Sequence, residues 1–235
     1  MKKTSKISKI EVNKVGKRGE GTRYALILSG LELFGEFGIK GTTTRMIADH
    51  SQANISAIKY YFGGKEGLYL GVIEHISESI ARHTGQSEVE ISRRILARDI
   101  TKDDALNFIK QIVMQMARMF VELEDLVHWN KIIIREQANP TEGFDILYTK
   151  NFQQNHFILI NLMSIYSGID PESDEIKIRW HALFGQILAF SVSRECLLRS
   201  LKIEKLDSSH ISLIYKILLS HLEACLNIPH LGGEE

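Results

Sequence analysis

Apolar residues recur three and four positions apart along most of the chain, which is the spacing of one face of an amphipathic helix. Between Arg23 and Gly38 the stripe is Leu26, Ile27, Leu31, Phe34 and Phe37, with Tyr24 and Ala25 beside it. Leu106, Ile109, Val113, Met116, Phe120 and Leu123 repeat it, behind an Asp103 placed to cap the helix. Further helices are predicted from Leu68 to Ile80, from Glu88 to Asp99, and from Leu126 to Gln137, where Asn139-Pro140 stops the last. Thr141 and Glu142 start another, carried by Phe144, Leu147, Phe152, Phe157 and Leu162 to Gly168. Pro171 opens a final pair, Ser173 to Leu201 and Asp207 to Asn227. No segment alternates with period two and no internal repeat is visible, so the predicted fold is all-α.

The stretch 41–67 departs from this monotony. Thr43 is placed to cap one short helix, in which Met46, Ile47 and His50 share helical spacing and Ala48 leaves room for a crossing neighbour. Ser51-Gln52-Ala53 makes a polar turn, and Asn54 caps a second helix from Ile55 to Phe62, closed by Gly63-Gly64. Ser56, Ala57 and Lys59 are small or basic, which lets a helix sink into the major groove. Tyr60, Tyr61 and Lys65 carry hydroxyl and ammonium donors suited to phosphate oxygens. This is the layout of a helix-turn-helix that reads double-stranded DNA. The same two helices also occur in helical proteins that bind no DNA, so a helical protein-binding adaptor, or a metal-independent bundle protein without DNA binding, is the alternative.

Three motifs narrow the choice. Thr42-Thr43 with Ile47-Ala48, the aromatic run Tyr60-Tyr61-Phe62, and Lys65-Glu66-Gly67-Leu68 together resemble the TetR family of one-component transcriptional regulators. The resemblance implies a three-helix DNA-binding domain followed by a larger helical domain for ligand binding and dimerisation. It implies DNA contacts from Thr42, Thr43, Gln52, Asn54, Ser56, Ala57, Lys59, Tyr60, Tyr61 and Lys65. Two positions depart from the family pattern: Gln52 stands where a turn glycine is usual, and Lys59 where the aromatic run often begins. A wider or strained turn is therefore expected at Gln52. In this family the last two helices of two subunits form a four-helix bundle. Here Ala182, Gly185, Leu188 and Ala189 on one helix, with Ile211, Leu213, Ile214, Ile217, Leu218, Leu219, Leu222 and Leu226 on the other, are expected to supply the seam. The run from Ile132 to Thr141, together with Phe184-Gly185-Gln186 and Phe190, resembles the CecR/YbiH-like branch. The resemblance thus implies a homodimeric repressor on a palindromic operator, released by a small-molecule effector.

Charge sharpens the division of labour. The chain is neutral overall, yet residues 1–70 hold 12 Lys and Arg against 6 Asp and Glu, and the remainder holds 17 against 23. A basic end suits phosphates and an acidic body does not. The expected domains are a basic tail over 1–20, the helix-turn-helix domain over 21–68, and the ligand and dimer domain over 69–235. No secretory leader or apolar run long enough for a membrane is present, which implies a cytoplasmic protein without membrane attachment. For the effector, methionine and aromatic chemistry selects Met116, Phe120, Trp129, Phe152, His156 and Trp180 as candidate lining, with Ile133 and Arg135 beside them.

Enzymatic motifs are missing from the sequence. No histidine has a glutamate three residues before it, as a di-iron bundle requires. Gly64-Lys65 lacks the earlier glycine of a phosphate loop, since Lys59 holds that position. Cys196 and Cys225 have no metal or redox spacing. No catalytic residue, metal ligand or cofactor is assigned.

Overall fold

The computed structural model describes residues 18–122 and 126–231, and every regular element among them is helical. Eleven α-helices follow in order. They are α1 Arg18–Gly41, α2 Thr44–Ser51, α3 Ile55–Phe62, α4 Lys65–Leu96, α5 Lys102–Ala117, α6 Val127–Ala138, α7 Glu142–Leu147, α8 Gln153–Ser167, α9 Asp174–Val192, α10 Arg194–Leu201 and α11 Ser208–Leu226. Two π-helical turns intervene, Arg118–Glu122 after α5 and Tyr148–Phe152 between α7 and α8. None of the described helices is long and apolar enough to cross a membrane. The expected basic tail falls largely outside the described residues, and Arg18 already belongs to α1.

Local chemistry sets most boundaries. Thr101, not Asp103, caps α5: its hydroxyl accepts from the Asp104 amide while the Asp104 carboxylate accepts from the Thr101 amide. Ser173 and Asp207 cap α9 and α11, each side chain accepting from amides of the first turn. Gly168 in the left-handed region ends α8. Where two pieces are expected between Leu68 and Asp99, α4 runs unbroken, because the polar stretch 81–87 contains no proline to stop it. The helix expected from Ser173 to Leu201 is instead divided at Ser193, beside Arg194, whose guanidinium donates to the Val121 carbonyl at 3.0 Å.

The chain divides into two compact units, and the first is discontinuous in sequence. Residues up to Ile76 join with 126–146, while 77–122 and 147–231 form the second. Beside the boundary expected at residue 68, the compact units follow a different division, in which the first also takes in α6 and most of α7. The reason lies in α6. Ile132 and Ile133 are buried among the apolar residues of this unit. The Arg135 guanidinium donates to the carbonyls of Phe34, Gly35 and Glu36 at 2.6, 2.9 and 3.2 Å. Lys131 pairs with Glu36 at 2.5 Å. Tyr69 donates its hydroxyl to the buried Glu136 carboxylate at 2.6 Å, which also accepts from the Thr141 amide and hydroxyl. Burial first, and then this bond, push the Tyr69 hydroxyl well above its ordinary pKa. Gly35 makes the approach possible, since a Cβ there would lie 2.6 Å from the His128 Cβ and 2.8 Å from its Cα.

The second unit is built around one core running from Ile91 through Val113, Leu159, Trp180 and Leu218 to Leu226. Each fully buried side chain of this size contributes roughly 1.5–3 kcal/mol. The core faces of α9 and α11 are closed at one end by a clasp. The buried Arg179 guanidinium donates to the carbonyls of Cys225, Ile228 and Pro229 at 3.1, 2.9 and 2.6 Å and pairs with Glu175. Glu175 also accepts from the Leu231 amide and bonds His230.

Burial by itself would raise the Glu175 carboxyl, but the Leu231 amide, His230 and Arg179 outweigh it and hold its pKa at about 2. An unfolded glutamate titrates at about 4.3. Its folded value being the lower, the stabilisation is complete above about pH 4.3 and is lost as pH falls toward 2. Glu175→Gln is expected to lower the urea midpoint at neutral pH, and its gap from wild type is expected to close as acid is added over that window. A gap constant from neutral pH down through the window would remove the carboxylate from this account.

Candidate DNA-reading site

α2 and α3 are short, and each is defined by its caps rather than by length. Thr43 accepts from the Met46 amide at 3.2 Å, while Ile47 and Ala48 turn inward. At the far end of α2 the Gln52 amide donates to Asp49 and the Ala53 amide to Ala48, the paired bonds of a Schellman turn. That turn needs a left-handed residue, and Gln52 takes the role with φ 55 and ψ 28. The expected strain is therefore present in a turn that stays tight. A non-glycine residue there costs roughly 1–2 kcal/mol. Asn54 begins α3, its side-chain oxygen accepting from the Ser56 amide and hydroxyl, both at 2.9 Å. Gly63, with φ 75, ends it.

α3 buries Ile58 and turns its other side outward. Gln52, Ala53, Asn54, Ser56, Ala57, Lys59, Tyr60 and Tyr61 line one open concavity, joined by Thr22 from α1. Tyr60 is 81% exposed, and its ring meets the Tyr61 ring edge-on at 4.9 Å. Beneath this surface Arg23 lies over the Phe62 ring at 5.2 Å. Seven of the ten residues expected to contact DNA are thus brought together.

The other three sit elsewhere. Thr43 is exposed, with its hydroxyl engaged in capping α2. Thr42 is fully buried, its hydroxyl donating to Leu33 at 3.1 Å and Gly38 at 2.8 Å, so it belongs to the frame and not to the reading face. Lys65, expected on a phosphate, instead donates to the Ile39 and Thr42 carbonyls at 2.8 and 3.1 Å. Thr22 is the reverse case: only tertiary packing brings α1 to the concavity, and no spacing in the sequence signals it.

The residues expected to line an effector site fall in both units. In the first, Ile133 is core, Arg135 is engaged with the three α1 carbonyls, and Trp129 meets His75 edge-on at 6.4 Å. Arg135 and Glu136 do not pair with each other; each holds a different partner. In the second unit, His156, Trp180, Phe184 and Phe120 form a ladder with successive ring spacings of 6.4, 5.8 and 6.2 Å. Met116 and Phe152 are half-buried there. Burial, then the charge of His181, lowers the His156 pKa and favours its neutral form. Four buried polar atoms of this unit, Ser77 Oγ, Asn151 Oδ1, Arg179 Nε and Trp180 Nε1, have no hydrogen-bond partner among the described residues.

Comparison with known proteins accords with this geometry. Residues 26–72 match the bacterial regulatory proteins of the tetR family, and residues 105–227 match the C-terminal domain of the HTH-type transcriptional dual regulator CecR. The CecR regulator of Shigella flexneri is 31% identical over 212 residues, which cover 89% of this chain and 93% of that protein. Among solved structures, the hemolysin II transcriptional regulator HlyIIR superposes with a TM-score of 0.57 at 16% identity, covering 86% of this chain and 98% of that one. SmeT, the repressor of the Stenotrophomonas maltophilia multidrug efflux pump SmeDEF, gives 0.59 at 15% identity over 93% and 98%. The chain belongs to the TetR family and is a DNA-binding transcriptional regulator. Its C-terminal domain is of the CecR type.

Lys65→Ala is expected to destabilise the protein by about 1 kcal/mol, since a charged hydrogen bond is worth roughly 1.5–3 kcal/mol before its partial exposure is discounted. Lys65→Arg is expected to recover part of the loss. Thermal unfolding without DNA checks this, and an unchanged midpoint for Lys65→Ala would return the ammonium to the phosphates.

Proposed function

We propose that the protein works in the cytoplasm as a homodimeric repressor, binding a palindromic double-stranded operator and letting go when a small-molecule effector binds. The concavity at the start of α3 carries the reading. There Ser56, Ala57 and Lys59 are assigned to base edges, and Tyr60 and Tyr61 to phosphate oxygens. Small side chains beside a single cation allow the helix end to enter the groove, and the tyrosine hydroxyls at its flank hold the register.

One reading head has low specificity, so a second at fixed spacing is needed. Support for a dimer comes from apolar positions the single chain leaves open. On α9 the exposed residues Ile178, Ala182, Gly185, Ala189 and Val192 step by four and three, as a heptad seam does. On α11 the exposed Leu213, Ile217 and Ala224, with the small polar Ser220 among them, do the same. Ile214, Leu218, Leu222 and Leu226, expected at the seam, are instead buried in the core of the second unit, because that face of α11 packs within the single chain. The two stripes of α11 therefore have two destinations, one within the chain and one for a partner.

The effector is assigned to the second unit, against Phe120, His156 and Trp180 with Met116 and Phe152. It changes DNA affinity only in so far as it prefers a dimer whose heads are wrongly spaced. Repression is the role named for SmeT, whereas CecR is named a dual regulator, so activation at a second class of promoter is the competing reading.

Lys59→Ala is expected to relax discrimination at one position in each half-site, costing on the order of 1–3 kcal/mol against the preferred base. Tyr60→Phe, which loses only a phosphate donor, is expected to weaken all sequences equally. Titrations on selected and scrambled duplexes at several salt concentrations separate the two. If neither variant changes affinity, α3 does not enter the groove and the adaptor reading returns.

A Cβ at Gly185 meets nothing within 4 Å in the single chain. Gly185→Leu is therefore expected to fold normally and to sediment as monomer at micromolar concentration, where the wild type is a dimer. A dimer of unchanged affinity would move the seam to another surface.

A further inference from the structure

We propose that Gln52 is a specificity-determining residue whose carboxamide reads an adenine edge at one position of each half-site. This rests on the DNA-reading assignment of α3 and adds a contact from the turn before it. Gln52 holds a left-handed backbone that glycine adopts freely. Arg98 and Lys202 take the same conformation after α4 and α10, so the conformation alone says little. At those two positions, however, the side chain is a cation beside the carbonyl end of a helix, where positive charge is favourable. Gln52 is uncharged and gains nothing of that kind.

Its side chain finds no compensation inside the protein either. It is exposed, and its carboxamide makes no hydrogen bond among the described residues. It lines the reading concavity together with Asn54, Ser56 and Lys59. The neighbouring carboxamide is already committed, because the Asn54 oxygen accepts from both the amide and the hydroxyl of Ser56. Adenine is read by an amide that offers its oxygen to N6–H and its N–H to N7 at once. Of the two carboxamides at this position, only Gln52 has both ends open. A phosphate would engage the donor alone and leave the oxygen unused.

The experiment begins by selecting duplexes from a randomised pool with the wild-type protein, then compares wild type, Gln52→Gly and Gln52→Glu on the selected and scrambled sequences. Gln52→Gly removes the strain together with the amide, so folding is not at risk. Its thermal midpoint is expected to hold or rise. Its affinity for the selected duplex is expected to fall by about 5- to 150-fold per half-site, with loss of one adenine preference and no change on scrambled DNA. Gln52→Glu, which can only accept, is expected to exchange adenine for cytosine at that position. An equal loss on every sequence would make Gln52 a phosphate contact and overturn the proposal. So would unchanged binding by Gln52→Gly, which would make the residue a turn and nothing more. A wild type that selects no duplex overturns this inference and the reading of α3 together, whereas an indifferent Gln52→Gly beside a selective wild type overturns this inference alone.

Discussion

A helix that breaks leaves carbonyl oxygens without donors, and the reading head depends on how that deficit is met at the end of α1. Gly38 leaves the helical path at φ 69 and ψ 171 and turns the chain toward α2. The Gly38 carbonyl then accepts from the Thr42 amide, the Thr42 hydroxyl proton is shared between Leu33 and Gly38, and the Lys65 ammonium serves Ile39 and Thr42. An oxygen left unpaired in a buried corner costs about 1–3 kcal/mol, so the corner has one low-energy shape. Because Lys65 begins α4 and Thr42 precedes α2, these bonds fix the direction of both helices. α3 hangs between them on two short turns, and its exposed face inherits that direction.

A second set of oxygens on α1 is served from far along the chain. Arg135 reaches the carbonyls of Phe34, Gly35 and Glu36, one helical turn before the break. The guanidinium fork fits several oxygens at once. Alongside it, Glu136 holds Tyr69 of α4 and Thr141 before α7. Two adjacent residues of α6 thus hold α1 and α4, the two helices that frame the reading pair. Movement of α6 along its axis would be felt at both.

Much of this is legible in the sequence, and the exceptions share a cause. Caps and turns are local, so Thr43, the Ser51-Gln52-Ala53 turn, Asn54 and Gly63 read correctly as punctuation, and the periodic stripes announce an all-helical chain. Lys65 is less legible, because its side chain looks the same whether it seeks a phosphate or a carbonyl, and without DNA it holds the carbonyls of the corner at Gly38. Thr42 and Thr43 are adjacent and chemically identical, yet one is buried and the other capping, a difference set by a break four residues earlier. Thr22 reaches the concavity through packing alone. The Arg135-Glu136 pair is visible as a motif, but opposite charges in sequence suggest pairing with each other, and their true partners lie on α1 and α4. The π-helical turns carry no periodic signal that would set them apart from the α-helices they interrupt.

The discontinuity of the first unit also bears on how the protein is made. The chain leaves the ribosome N-terminus first, so α1 to α3 are exposed to the cell before α6 exists. The carbonyls of Phe34, Gly35 and Glu36 must wait for Arg135, and the buried surface of this unit waits for Ile132 and Ile133. About 70 residues separate Ile76 from Ile146, which at roughly 5–20 residues per second is a delay of about 4–14 s. During that interval the nascent head lacks the wall that α6 supplies, and its final packing waits until the first stretch of the second unit has also been synthesised.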